Sequence, residues 1–283
     1  MVVTAGAVLT STALAVPAQA AAPKAPTIVA KGGYVMNNGT GTTLYTKAAD
    51  TRRSTGSTTK IMTARVVLGE KKLNLDSKVT VQKAYSDYIV AKGASSAHLI
   101  VGDKVTVRQL LYGLLLPSGC DAAYALADTY GSGSTRAARV KSFIGQMNSS
   151  AKSLGLKNTH FDSFDGIGNG SNYSTPRDLT KLASSAMKNA TFRAVVGTRS
   201  TKQKVTTKSG GYRYMSWTNT NTLLGTYSGT IGVKTGSGPQ AGYCLVFAAT
   251  RGGKTVIGTV LASTSVSART SDAKKLMDYA FKK

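Results

Sequence analysis

Ser57 and Lys60 are the pair whose types and spacing first suggest chemistry. They lie in the run Arg53-Ser54-Thr55-Gly56-Ser57-Thr58-Thr59-Lys60-Ile61-Met62-Thr63. Apolar residues at 61, 62, 64 and 66–68 form a cluster broad enough for a buried helix. Residues three apart on a helix share a face, so hydroxyl and amine would meet. A buried lysine beside a serine can lose its proton near neutral pH and make the oxygen nucleophilic. Gly56 frees the backbone just before the helix, whose unpaired N–H groups can receive an oxyanion at the same point. The spacing alone is weak evidence, because it recurs at Ser149/Lys152, Ser185/Lys188 and Ser271/Lys274, where a solvated helix face is the simpler account.

Two further stretches give the pair a context. Pro117-Ser118-Gly119-Cys120-Asp121 falls at a break between two helical patterns, where a serine can project into a cleft. Lys234-Thr235-Gly236 falls at the end of a β-rich run, just before a turn. A lysine and a threonine on a strand edge suit an anionic group, and Gly236 would let a substrate lie close to that strand. Lys208-Ser209-Gly210 is a decoy in polar sequence without a strand pattern. Acyl transfer needs a nucleophile, a base, a proton path and an oxyanion hole, plus a cation for an anionic substrate. Ser57, Lys60, Ser118 and Lys234 supply the side chains for those tasks.

The elements that must position these residues read as follows. Strand-like runs at 28–36 and 42–47 are joined by Asn37-Asn38-Gly39-Thr40-Gly41, and the Ser57 helix fades near Gly69. Residues 70–225 are mainly helical, with short β-prone pieces at 78–81 and 97–101. Thr106 starts one helix, Asp121 a second, Ser134 a third ending at Gly155, and Thr175-Pro176-Arg177-Asp178 a fourth. β-rich runs at 229–234, 243–250 and 255–263 precede a closing helix over 271–281. The pattern predicts an α/β (α+β) fold with one antiparallel sheet shared by both chain ends, about 27–69 and 226–283. Helices flank it, and an all-helical region, about 70–225, is inserted.

Composition narrows the setting. Residues 1–20 are uncharged and apolar and end in Ala18-Gln19-Ala20, the pattern of a secretory signal peptide ending at 20 or 22. That predicts an exported, cell-wall-associated protein, with 21–283 as a single catalytic domain, no transmembrane anchor and a monomeric state. The net charge of +24 points to an anionic neighbour, here an acidic wall polymer. The basic residues are scattered rather than gathered with aromatics, which argues against a nucleic-acid groove. Cys120 and Cys244 sit in no metal-ligand cluster, and His98 and His160 are far apart, so neither a metal, a cofactor nor a Ser-His-Asp triad is expected.

The ordered set Ser57-x-x-Lys60, Ser118-x-Cys120 and Lys234-Thr235-Gly236 resembles the penicillin-binding proteins and serine β-lactamases. Its flanks, Leu110 through Gly119, Tyr173 through Leu179 and Gly232 through Gly236, resemble the low-molecular-mass D-alanyl-D-alanine peptidases. The likeness runs over roughly 27–283 and is nearer the short single-domain DD-transpeptidases than the anchored carboxypeptidases. The resemblance implies a penicillin-binding/β-lactamase-like fold with a five-stranded sheet. It also implies acyl transfer from D-Ala-D-Ala-terminated peptidoglycan stem peptides to an amine or water, and covalent inhibition by β-lactams. Ser57 would be the nucleophile, Lys60 its base and Ser118 a proton carrier. Lys234, Thr235, Ser237 and Arg269, the last placed before the closing helix, would hold the terminal carboxylate. The N–H groups of Ser57 and Ser237 would form the oxyanion hole. Cys120 stands where the family usually has an asparagine that bonds both lysine and substrate, and a thiol is a weak donor and acceptor. It is expected as a free thiol in the cleft, with the nearby lysines favouring the thiolate. A β-lactamase and a catalytically dead wall-binding relative are the alternative readings. The former lacks a well-placed glutamate, Glu70 being the only one, though Asp162 and Asp165 lie in the candidate loop.

Overall fold

Strands from the two ends of the chain pair with each other in one sheet. The computed structural model describes residues 1–6 and 23–283, so most of the expected signal peptide lies outside the described residues. β1 (Gly32–Asn37) and β2 (Thr43–Lys47) form a hairpin. A 3-10 turn, Gly56–Thr59, runs into α1 (Lys60–Leu68). Then come β3 (Lys78–Thr80), α2 (Lys83–Lys92), β4 (Lys104–Thr106), α3 (Val107–Leu115), α4 (Cys120–Tyr130) and α5 (Arg136–Ser153). α6 (Pro176–Ala186), α7 (Ala190–Val196), β5 (Ser200–Thr206) and β6 (Tyr212–Thr218) follow. β7 (Thr230–Gly238), β8 (Gly242–Arg251), β9 (Lys254–Ser263) and α8 (Val266–Lys282) come last.

Five strands form one antiparallel sheet in the order β2-β1-β9-β8-β7, with Val35 of β1 opposite Gly258 of β9. On one face α8 packs Ala273, Leu276, Met277 and Ala280 against Val35, Leu245, Phe247 and Val260. The other face joins a larger core through Tyr34, Val246 and Ile257, which meets Ile61, Leu110, Leu114 and Leu179 of the helices. Each fully buried leucine or isoleucine contributes about 1.5–3 kcal/mol. All of α1 from Lys60 to Val67 is buried except Arg65. A helix with no broad polar face must lie inside the protein, and that is what carries Lys60 into the interior.

The inserted region departs from the all-helical expectation. It holds a second, four-stranded sheet, β3-β4-β5-β6. β3 and β4 are only three residues long, too short for periodicity to register, and lysines interrupt β5. The β-prone piece at 97–101 is not a strand. The decoy Lys208-Ser209-Gly210 is the turn of the β5–β6 hairpin. Lys234-Thr235-Gly236 lies inside β7 rather than at its end. The closing helix begins at Val266, where Ser265 accepts a hydrogen bond from the Ala268 N–H at 3.0 Å, so Arg269 is inside it. Apolar periodicity starts only at Ala273, and the polar first turn concealed the true start.

Candidate active site

Two glycines bring Ser57 to the strand. Gly56 has φ +48°, and a Cβ there would stand 2.9 Å from the Ser237 carbonyl oxygen and 3.0 Å from its nitrogen. A Cβ on Gly236 would stand 2.8 Å from the Thr55 carbonyl oxygen and 3.1 Å from the Thr58 nitrogen. Gly236 therefore lets the Ser57 turn dock on β7, a closer reason for glycine than the expected approach of substrate. Ser57 lies in the 3-10 turn, one residue after Gly56, with Lys60 opening α1. Lys60 is 0% exposed, and its Nζ lies 2.9 Å from Ser57 Oγ. The same Nζ donates to the Asp165 carbonyl at 3.1 Å and to Cys120 Sγ at 3.2 Å. A neutral amine in that place can accept the serine proton across the 2.9 Å contact.

Ser118 closes the site from the helical side. Pro117 follows the end of α3, and Ser118 turns into the left-handed region at φ +68°. Such a conformation costs a non-glycine residue about 1–3 kcal/mol and persists only where its surroundings hold it. The Ser118 carbonyl accepts from Ser95 Oγ at 2.6 Å. The Asp121 carboxylate accepts from the backbone N–H groups of Ala97, Leu99 and Ala122 and from Ser96 Oγ, fixing the loop at 95–99 beside Ser118. Ser118 Oγ is buried and has no hydrogen-bond partner among the described residues, which leaves it free for a substrate group.

Cys120 is a free thiol, as is Cys244, so the two form no disulfide. Its placement corrects the expectation of a cleft residue, because it is buried beneath Lys60 at the start of α4. Burial pushes the thiol above its ordinary value, with the Lys60 charge opposing, which counters the expected thiolate. The same burial pushes Cys244 up to about 11.

β7 supplies the third wall. Lys234 is buried under the floor, and its Nζ donates to the Thr235 carbonyl at 3.0 Å. Burial first, then the charges of Lys60 and Arg269, hold its pKa well below the ordinary lysine range. Thr235 Oγ1 shares a 2.6 Å hydrogen bond with Thr220 Oγ1, and the Thr220 N–H is anchored on the Leu116 carbonyl. Arg269 reaches across from α8 to donate to the Gly236 carbonyl at 3.0 Å. Ser57, Ser118, Thr220, Thr235, Ser237 and Arg269 line one cleft of about 430 Å³.

The structure thus gathers Ser57, Lys60, Ser118, Lys234, Thr235, Gly236, Ser237 and Arg269, with Cys120 beneath them. Sequence reasoning missed Thr220 and Ser95, and it named Asp165 only as a loop carboxylate, not as the carbonyl that meets Lys60. Each acts through contacts to distant segments, which no local spacing marks. Asp121 was legible only as a residue opening a helix. Asp165 and Asp162 are both engaged. The Asp165 carboxylate accepts from Tyr88 Oη and the Ile167 N–H, and Asp162 accepts from the Asn169 and Ser171 N–H groups and Asn172.

Comparison with known proteins shows the family. The family profile described as D-alanyl-D-alanine carboxypeptidase, peptidase S11, matches residues 19–265. The D-alanyl-D-alanine carboxypeptidase of Streptomyces sp. (strain K15) is 74% identical over 281 residues, 99% of this chain and 96% of that one. DacF of Bacillus subtilis (strain 168), a D-alanyl-D-alanine carboxypeptidase, is 32% identical over 89% of this chain and 62% of its own. The crystal structure of the Streptomyces K15 DD-transpeptidase matches with a TM-score of 0.91 at 78% identity, over 92% of this chain and 99% of that one. DacD from Francisella tularensis matches with a TM-score of 0.79 at 29% identity, over 92% of this chain and 72% of that one. The chain belongs to the D-alanyl-D-alanine carboxypeptidase family, peptidase S11.

Proposed function

We infer that this chain is a serine DD-peptidase acting on peptidoglycan stem peptides that end in D-Ala-D-Ala. The observation that carries this reading is Lys60 Nζ at 2.9 Å from Ser57 Oγ, in a cleft that also presents Ser118, Thr235 and Arg269. Ser57 Oγ attacks the carbonyl of the penultimate D-Ala and its proton passes to Lys60. The N–H groups of Ser57 and of Ser237, whose backbone lies against Gly56, receive the oxyanion. As the C–N bond breaks, Ser118 Oγ passes its proton to the departing D-Ala amine and takes one back from Lys60, leaving an ester on Ser57 and a neutral Lys60. An amine or water then attacks that ester, gives its proton back through Lys60 and Ser118, and restores the Ser57 hydroxyl. Thr235, Ser237 and Arg269 contact the terminal carboxylate; Lys234, expected to hold it too, is instead buried with its Nζ on the Thr235 carbonyl, and acts from beneath as a basic group beside Lys60.

The carboxylates of the loop are already engaged, Asp162 within the loop and Asp165 with Ile167 and with Tyr88 of α2, so neither is free to activate hydrolytic water. That favours a slow second step, sensitivity to β-lactams and transfer to amines over the β-lactamase reading. The relatives carry peptidase names, and the ordered site speaks against a dead wall-binding protein. A wall peptide as substrate supports reading the protein as acting outside the cytoplasm, against an anionic wall. Among the described residues no helix is long and apolar enough to cross a membrane. The test is release of D-Ala from a soluble D-Ala-D-Ala peptide with and without an added amine acceptor. Release that depends on Ser57, with product passing mainly to the amine, supports the reading. Release undiminished in Ser57→Ala overturns it, and mainly hydrolysed product makes the enzyme a carboxypeptidase.

A further inference from the structure

The second sheet has a purpose that the cleft does not use. Its strands alternate, with Val205, Met215 and Trp217 turned into the core. The opposite face is open. On it Lys204 pairs across from Tyr214, Thr206 from Tyr212, and Lys104 from Thr206. Tyr212 is 60% and Tyr214 55% exposed, and their rings meet edge to face at 5.8 Å. Lys204 Nζ stands 4.1 Å from the Tyr212 ring and Lys202 Nζ 4.7 Å from the Tyr214 ring, so each ammonium group lies beside an exposed ring. No Asp or Glu occurs in β3, β4, β5 or β6, and none of these lysines pairs with a carboxylate among the described residues.

Flat, rigid tyrosines with a polar tip are suited to hydroxyl-rich partners, and unpaired lysines beside them select for negative charge. The face also leads to the cleft. β6 ends at Thr218, two residues before Thr220 of the cleft wall, so Tyr214 stands about 14 Å from that end at ~3.4 Å per residue. We propose that this face docks a glycan strand of peptidoglycan, with sugar rings against Tyr212 and Tyr214. Carboxylates of neighbouring stem peptides meet Lys104, Lys202 and Lys204. The inference rests on the peptidase reading above, and it gives the enzyme a hold on the polymer separate from its hold on the reacting peptide.

The test is co-sedimentation of the full chain with purified sacculi, both intact and stripped of attached phosphate polymers. Lys202→Ala/Lys204→Ala and Tyr212→Thr/Tyr214→Thr should each weaken binding to stripped sacculi by about tenfold, the equivalent of 1.4 kcal/mol. Both should release D-Ala from a soluble peptide at the unaltered rate, which also shows that they fold. Lys152→Ala/Lys157→Ala, equal in charge loss but far along the chain, should bind as the unaltered protein does. Undiminished binding by the sheet variants overturns the proposal. So does equal loss in Lys152→Ala/Lys157→Ala, which would make net charge the cause. Binding that disappears on stripping overturns it too, because the ligand would then be the phosphate polymer. The soluble-peptide rate tests the peptidase reading independently of all three.

Discussion

Replacing Asp121 by alanine should damage both stability and catalysis, although Asp121 touches no substrate. Its carboxylate is buried and accepts from Ala97 N at 2.8 Å, Leu99 N at 3.1 Å, Ala122 N at 2.9 Å and Ser96 Oγ at 2.8 Å. Alanine leaves up to three backbone N–H groups without a partner, each costing about 1–3 kcal/mol if it stays dry. Water entering the vacated space and local relaxation recover part of that, so the net loss should be about 3–5 kcal/mol. Against a total stability of about 5–15 kcal/mol this is large. At ~2–4 °C per kcal/mol it lowers Tm by roughly 10 °C. The loop it holds carries Ser95, whose hydroxyl fixes the Ser118 carbonyl, so the strained Ser118 loses a support. Acylation of Ser57 by penicillin should therefore slow in the fraction that remains folded. Asp121→Asn, which keeps one acceptor oxygen, should fall between the two. Thermal unfolding and the acylation rate are the assays. A folded Asp121→Ala protein with an unchanged Tm and acylation rate would refute the argument that this carboxylate builds the wall.

Lys60→Arg should acylate at least about a hundredfold more slowly, because a guanidinium cannot give up its proton; near-normal acylation would mean that another group is the base. Gly236→Ala should weaken both folding and acylation, since the added Cβ meets the Thr55 carbonyl; a thermal melt and a labelling rate equal to those of the unaltered protein would contradict this. Lys234 has its pKa depressed in the folded state, so in the window below the ordinary lysine value the unfolded chain holds a proton that the native state lacks. Its contribution to unfolding free energy therefore rises with pH across that window and levels off above about 10.4. Urea midpoints should show the unaltered protein gaining on Lys234→Met as pH rises from about 7 to about 9, whereas a pH-independent difference would deny the depressed value. Cys120 should resist bulky thiol reagents in the folded protein, being buried and with its thiol pKa raised; rapid labelling that blocks penicillin binding would return it to the cleft.

The three stretches that meet at the cleft were legible because each is a local tie. Ser57 and Lys60 are one turn apart, Ser118 sits at a helix break, and Lys234 lies in a strand whose neighbours are apolar. The shared sheet was legible for the same reason, since β8 and β9 are long buried runs. What escaped notice depends on chain segments far apart. Thr220 matters only because Thr235 lies opposite it, and Asp165 only because its carbonyl meets Lys60. The second sheet was hidden by strands of three residues and by outward lysines that read as loop. Cys120 was placed correctly next to the lysine. Its side chain nevertheless lies below the cleft, because α4 begins at that residue and turns it into the core.

The central claim is that Ser57 is the nucleophile, and mapping the site of penicillin attachment tests it most directly. The protein would be incubated with labelled penicillin, digested and read by peptide mass, beside Ser57→Ala. The geometry predicts one adduct, on the peptide containing Ser57, and no label on the variant. An adduct on Ser118 or any other serine, or full labelling of Ser57→Ala, would contradict it.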